Sequence, residues 1–130
     1  MNIEGFIKVC VLGSGVSATV KDITRHYFGG YYHVRIQVSA DVPVTSSSFE
    51  TAAEYEDAVI RLGDFVTFNR TLEKMAVPDH EIEIVRQKLL SAFDANVLPY
   101  LLREDFASSF VRSEYLNKLK SVPVFTGKFA

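Results

Sequence analysis

The chain has 130 residues, with 14 Lys and Arg against 16 Asp and Glu and a formal net charge of −2. This charge excludes the strong phosphate attraction on which most duplex-binding proteins depend, so we expect no bulk nucleic-acid binding. With 48% hydrophobic and 12% aromatic residues, a chain of this length suits one domain. We therefore predict a single domain over residues 1–130.

The only cysteine, Cys10, has no partner in the chain, which excludes an intrachain disulfide and a cysteine-based metal cluster. The surrounding apolar run, Val9 to Leu12, is too short to span a bilayer, and the first residues carry no basic signal region. We therefore expect a cytoplasmic protein that does not associate with membranes. Cys10 itself is predicted to be a small buried side chain.

The composition changes character near residues 43–48. Val, Ile, Thr and aromatic residues dominate about 5–42, whereas Ala, Leu, Glu, Lys and Arg recur at helical spacing over about 49–120. This order predicts an α+β fold, in which an N-terminal antiparallel sheet of about three strands is followed by about four helices packed on one face. The tail, 121–130, is predicted to add an edge strand or to dock on a partner.

Capping and proline positions set the bounds of these helices. Ser47 and Glu50 have capping-box spacing, and Gly63 follows the last residue of the helix that they would begin. Pro99 lacks the N–H that a helix interior needs, so it should end or kink the third helix. The predicted helices span about 49–62, 64–77, 78–99 and 105–120.

Gly29 and Gly30 predict a two-residue β-hairpin turn between strands at about 19–28 and 31–42. In a regular hairpin, opposed residues lie equally far from the turn and share a face of the sheet. One face then carries Ile23, Arg25, Tyr27, Tyr32, Val34, Ile36 and Val38. The other carries Asp22, Thr24, His26, Phe28, Tyr31, His33, Arg35 and Gln37. The clean division into an apolar and a polar face favours the hairpin.

An alternative interpretation takes Gly13, Gly15 and Ala18 of the GSGVSA loop as a dinucleotide fingerprint, G-x-G-x-x-A. A helix would then follow the loop, and Asp41 would accept a ribose hydroxyl. This interpretation predicts a nucleotide-binding protein or a small oxidoreductase that uses NAD(P). Residues 19–28 argue against the helix because they are rich in β-branched and aromatic types.

The chemically useful side chains concentrate between Arg25 and Arg35. In the regular hairpin His26 faces His33, with Asp22 further along the same face. Two imidazoles at that spacing can share a transition metal, although a stable site needs three or four ligands, so two solvated histidines are the simpler interpretation.

Phe28, Tyr31 and Arg35 form an aromatic and cationic surface near the hairpin tip. Such a surface can stack on single-stranded bases, seal a subunit interface or cover the core. No RNP-like or GXXG motif accompanies it, so the interface or the core cover is favoured.

Catalytic motifs are missing from the sequence. It contains no HExxH, Walker or G-x-S-x-G frame, so we assign no catalytic residue and predict no cofactor. The favoured hypothesis is a non-enzymatic interaction module that forms a homo-oligomer or binds a protein partner.

Overall fold

The computed structural model describes residues 5–120, and their fold confirms the predicted α+β class. Five strands form one sheet, rather than about three: β1 (Phe6–Val11), β2 (Ser17–Asp22), β3 (Arg25–Phe28), β4 (Tyr31–Pro43) and β5 (Phe65–Pro78). The α-helices are α1 (Ala52–Leu62), α2 (Ile82–Ala92), α3 (Leu98–Leu101) and α4 (Phe106–Lys120). The interactions predicted for the tail lie outside the described residues.

The described residues divide into two compact units. Unit 1 comprises residues 5–40 and 68–103, and unit 2 comprises residues 41–67 and 104–120. The fully buried side chains of unit 1 include Val20, Val34, Ile36, Val38, Val77, Phe93 and Leu101, and those of unit 2 include Val42, Ala58 and Val111. Each unit therefore has its own buried apolar residues. That the whole chain folds as one domain stays a prediction.

The predicted Gly-Gly hairpin is present. Gly29 adopts a φ of +57°, a left-handed conformation that glycine takes without strain, and Phe28 pairs with Tyr31 across the turn. Along β4, every second residue from Val34 to Val42 is buried. This period of two is the alternation on which the hairpin prediction depended.

The register of the hairpin differs from the prediction by one residue. It shifts between His26 and Phe28, so that beyond the turn His26 pairs with Tyr32 and Arg25 pairs with His33. The predicted pairing of His26 with His33 is therefore wrong, because Tyr27 is an extra residue in β3 and forms a β-bulge. Since opposed residues share a face, His26 and His33 lie on opposite faces of the sheet.

The loop at Gly13–Gly15 is a 3₁₀ turn that joins two antiparallel strands, β1 and β2. The segment after it is strand β2, where the dinucleotide interpretation requires a helix, so that interpretation of the fold is wrong. Ala18 is a ladder residue, paired with Cys10 on one side and Ala40 on the other. The β-branched and aromatic residues that follow the loop favour the strand.

Strand β5 occupies the segment predicted as the second helix. The spacing of Phe65, Phe68 and Leu72 resembles a helical stripe, yet Val66 and Phe68 are buried while Phe65 and Thr67 are exposed. That alternation is the period of a strand with one face on the core. The helix prediction failed because it counted the large apolar residues and passed over the β-branched residues between them.

The helices begin and end for identifiable reasons. The cap of α1 is Thr51 rather than the predicted Ser47, and its side chain accepts a hydrogen bond from the backbone N–H of Glu54 at 3.1 Å. The backbone N–H of Gly63 donates to the carbonyl of Val59 at 2.8 Å, so α1 ends where predicted. The helix α4 also follows its prediction.

Pro99 lies inside α3, and the predicted interruption takes the form of a π-helical turn at Phe93–Val97. Pro99 has no backbone N–H and therefore cannot donate a hydrogen bond to the carbonyl of Ala95, four residues earlier. A π turn is a common local departure from α-helical hydrogen bonding, and here it joins α2 to α3 without a break in helical backbone angles.

Candidate interaction surface

Two predicted site residues, His33 and Arg35, share one carboxylate on a face of the sheet in unit 1. His33 Nε2 donates to Glu73 Oε1 at 2.8 Å, and Arg35 Nε lies 3.3 Å from the same oxygen without hydrogen-bond geometry. Glu73 was not predicted as a site residue, because its segment was predicted to be a helix. His33 and Arg35 are therefore held in an ion-pair cluster between β4 and β5.

The other predicted residues of this group, Asp22 and His26, lie on the opposite face. His26 Nε2 donates to the carbonyl of Gly29 at 2.5 Å, and its ring packs edge-on against Tyr32 with centroids 5.3 Å apart. Asp22 pairs with Ile36 in the ladder and forms an ion pair with Arg86 of α2 at 2.7 Å.

The predicted grouping of Asp22, His26 and His33 is therefore wrong, which removes the geometric basis for a shared metal ion. Within residues 5–120, no three His, Cys, Asp or Glu side chains converge to hold a metal.

The hairpin tip brings exposed aromatic side chains together. Phe28 and Tyr31 are directly paired, and the Phe28 side chain is 73% exposed. Tyr27, the bulge residue, is also exposed. The turn is fixed to the start of the helical region, because the backbone N–H of Asp79 donates to the carbonyl of Gly30 at 3.2 Å. Phe28 and Tyr31 thus form the aromatic surface that the sequence predicted, while Arg35 lies further along β4.

The residues of the dinucleotide interpretation do not form a phosphate-binding arrangement. Gly13 and Gly15 belong to the β1–β2 turn, and Ala18 is fully buried. Asp41 accepts a hydrogen bond from Thr67 Oγ1 at 2.7 Å. These residues do not surround a helix N-terminus, which is the element that a pyrophosphate needs.

Strand β1 carries an apolar surface that was not predicted from the sequence. Val11 is 75% exposed, Val9 is 49% exposed, and Phe6 is exposed as well. Val9 pairs with Thr19 and Val11 pairs with Ser17, so both valines lie on one face of the sheet. The sequence shows no alternation here, because Val9 to Leu12 is a continuous apolar run, and Cys10 within it was predicted to be buried.

The charged residue of β1 does not protect this surface. Lys8 pairs with Val20, which places its side chain on the other face. There its Nζ lies 3.2 Å from Asp94 Oδ1 and 5.4 Å from the centroid of the Phe93 ring. Strand β1 therefore shows only apolar side chains on the face of Val9 and Val11.

The backbone of β1 also has one unpaired edge. Within residues 5–120, β1 pairs only with β2. The N–H of Leu12 donates to the carbonyl of Val16 at 2.7 Å, and the register is constant from Lys8 to Val11. Because hydrogen-bonded residues alternate along an antiparallel ladder, the backbone groups of Val9 and Val11 point away from β2. We call these backbone groups, with the side chains of Phe6, Val9 and Val11, the β1 edge.

Strand β5 contrasts with this arrangement. Its exposed residues include Arg70, Glu73 and Lys74, and charged side chains are a common protection of strands at the side of a sheet. The β1 edge has no charge of this kind on its exposed face, so it is the better template for a further strand.

Unit 2 contains a polar cluster that joins α1 to α4. The hydroxyl of Tyr115 donates to Asp57 Oδ2 at 2.7 Å, and Arg61 Nε donates to the same oxygen at 2.8 Å. The hydrogen bond from Tyr115, followed by that from Arg61, lowers the pKa of Asp57. The same bond to the carboxylate raises the pKa of the Tyr115 hydroxyl. Both groups are therefore engaged with one another and stabilise the packing of α1 against α4.

No helix within residues 5–120 has the length and apolar character needed to cross a membrane. Comparison with protein-family models, with curated proteins and with solved structures gives no match for this chain. Its function is therefore inferred from the surfaces described above.

Proposed function

We propose that the protein is a non-enzymatic interaction module that self-associates, with β1 of one copy pairing antiparallel to β1 of a second copy. The observation that carries this proposal is the β1 edge, where exposed valines coincide with outward backbone groups that have no strand partner among residues 5–120. Exposed apolar edge strands are templates for strand addition, and the irregularity between Phe6 and Lys8 confines the regular part of this edge to Lys8–Val11. The free thiol of Cys10 supports a reducing compartment such as the cytoplasm.

The outward groups of the β1 edge select one register for this pairing. Val9 and Val11 must both form hydrogen-bonded pairs, and this occurs when Val9 of one copy lies opposite Val11 of the second. The four valine side chains then meet on one face of a continuous sheet. Cys10 of each copy lies opposite Cys10 of the other, in a non-hydrogen-bonded pair with Cα atoms about 4.5 Å apart.

This register has a direct chemical test, because disulfides form between Cα atoms about 4.4–6.8 Å apart. Mild oxidation of the full-length protein at low micromolar concentration should give a covalent dimer on a non-reducing gel. The matched control is a Cys10→Ser/Ile60→Cys variant, since Ile60 lies on α1 and is 82% exposed.

The control thiol is more accessible than Cys10, yet it is not part of the β1 edge and should cross-link far more slowly. Equal or faster cross-linking of the control would show that the Cys10 product reflects random collision and would contradict the proposed register.

A further inference from the structure

A groove in unit 1 lies between strand β5 and helix α2. Its volume is about 610 Å³, and Lys74 of β5 lines it opposite helix residues. The floor is apolar: Val85 belongs to a buried cluster with Val34 and Val77, and Leu89 packs against that cluster. Ile84 lies at the rim and is exposed. The groove therefore has an apolar floor that is continuous with the core and accessible to a ligand.

The charges around this groove are mainly positive. Lys74 and Lys88 both line it, and neither side chain forms an ion pair or hydrogen bond with any residue from 5 to 120. The one lining carboxylate, Glu81, has its Oε2 3.6 Å from Nε2 of His80, which lines the groove as well. The ammonium groups of Lys74 and Lys88 therefore lie beside the apolar floor without a partner among residues 5–120, whereas the Glu81 carboxylate lies near the His80 imidazole.

We propose that this groove binds a single-chain amphiphile with a carboxylate head, such as a free fatty acid. The carboxylate would lie between Lys74 and Lys88, and the alkyl chain would cover Ile84 and Leu89. Small-molecule sites are typically about 300–1,000 Å³ in volume, with apolar walls and a few polar groups that orient the ligand. Lys88 follows Ile84 by four residues, so the head and chain contacts lie on one side of α2. This proposal is independent of the β1 edge.

The test uses dodecanoate, below its micelle concentration, titrated into the full-length protein by calorimetry and by amide NMR. The expected result is saturable binding with shifts at Ile84 and Leu89. Reversal of both charges, Lys74→Glu/Lys88→Glu, should weaken binding by about tenfold or more, since each exposed charge contributes modestly. The matched control Lys120→Glu, on α4, should bind as the wild type does. Dodecyltrimethylammonium, with the opposite head charge, should bind more weakly than dodecanoate.

Three results would overturn the proposal. The first is equal binding of the two amphiphiles, and the second is unchanged binding in the charge-reversed variant. The third is binding to anionic phosphatidylglycerol vesicles without binding to monomeric dodecanoate, which would indicate a membrane surface rather than a free ligand. An Ile84→Asn variant provides a second measurement that keeps both lysines. It should weaken the binding of dodecanoate while leaving the circular dichroism spectrum of the protein unchanged.

Discussion

Replacing Val11 with lysine places a charge on the β1 edge without disturbing the core, because the Val11 side chain is 75% exposed. In the proposed dimer this side chain becomes buried against Val9 of the second copy, and the two-fold symmetry repeats the contact. The substitution should therefore weaken self-association while leaving the stability of the monomer nearly unchanged.

The size of this effect follows from the exposed fraction. Full burial of a valine side chain contributes about 1.5 kcal/mol. Three quarters of that value in each of two copies amounts to about 2.2 kcal/mol, or roughly a fortyfold weaker dimer. The introduced ammonium groups repel one another, so fortyfold is the lower expectation.

The assay is sedimentation equilibrium of Val11→Lys beside Ile60→Lys, which adds the same charge at an exposed position of α1. Ile60→Lys should associate as the wild type does. Equal weakening by both variants would mean that net charge, rather than the β1 edge, controls association, and the reasoning about Val11 would be refuted.

Further predictions concern stability and are measured by urea unfolding. Gly63 has φ +84° and ψ −159°, a region that only glycine adopts readily, so Gly63→Ala should cost about 1–3 kcal/mol. Gly13→Ala, which places a Cβ in open space, should be close to neutral. Thr51→Ala should cost about 1 kcal/mol because it removes the cap of α1. Stability should fall in acid, because the pKa of Asp57 is lowered in the folded protein. Its contribution to the free energy of unfolding is fully present above pH 3.8 and is lost as the pH falls through the lowered pKa. Stability should also fall in alkali, because the pKa of Tyr115 is raised in the folded protein. Its contribution to the free energy of unfolding is fully present below pH 10.0 and is lost as the pH rises through the raised pKa. Tyr115→Phe should flatten both changes; a variant that keeps them would show that other groups are responsible.

The hairpin was predictable from sequence because two independent signals agreed. Gly29 and Gly30 supply the turn conformation, and the alternation along β4 gives every second side chain to the core. The register was not predictable, because a bulge such as that at Tyr27 leaves no mark in composition. One additional residue was enough to move His26 and Asp22 to the other face.

The segment of strand β5 was wrongly predicted as a helix for a different reason. Large apolar residues three or four apart fit a helical stripe, yet the same segment also fits a strand when its β-branched residues are counted. Only the sheet decides between them, since β4 offers a partner for β5. Because this segment was predicted as a helix, Glu73 was not predicted to lie beside His33 and Arg35, which contact its carboxylate in the structure.

The β1 edge was visible in part. The continuous apolar run Val9 to Leu12 does not show which of its side chains are exposed. Which strand lies at the end of the sheet depends on topology. That position distinguishes an exposed apolar row from a buried one. Prediction of the strand was therefore possible, while prediction of its role as a surface required the fold.

Sedimentation equilibrium of the wild-type chain over a wide concentration range tests self-association most directly. The β1 edge predicts a weight-average mass that rises from that of one chain toward that of two as concentration increases. A mass that stays at one chain up to millimolar concentration would contradict the proposal that β1 pairs with a second copy.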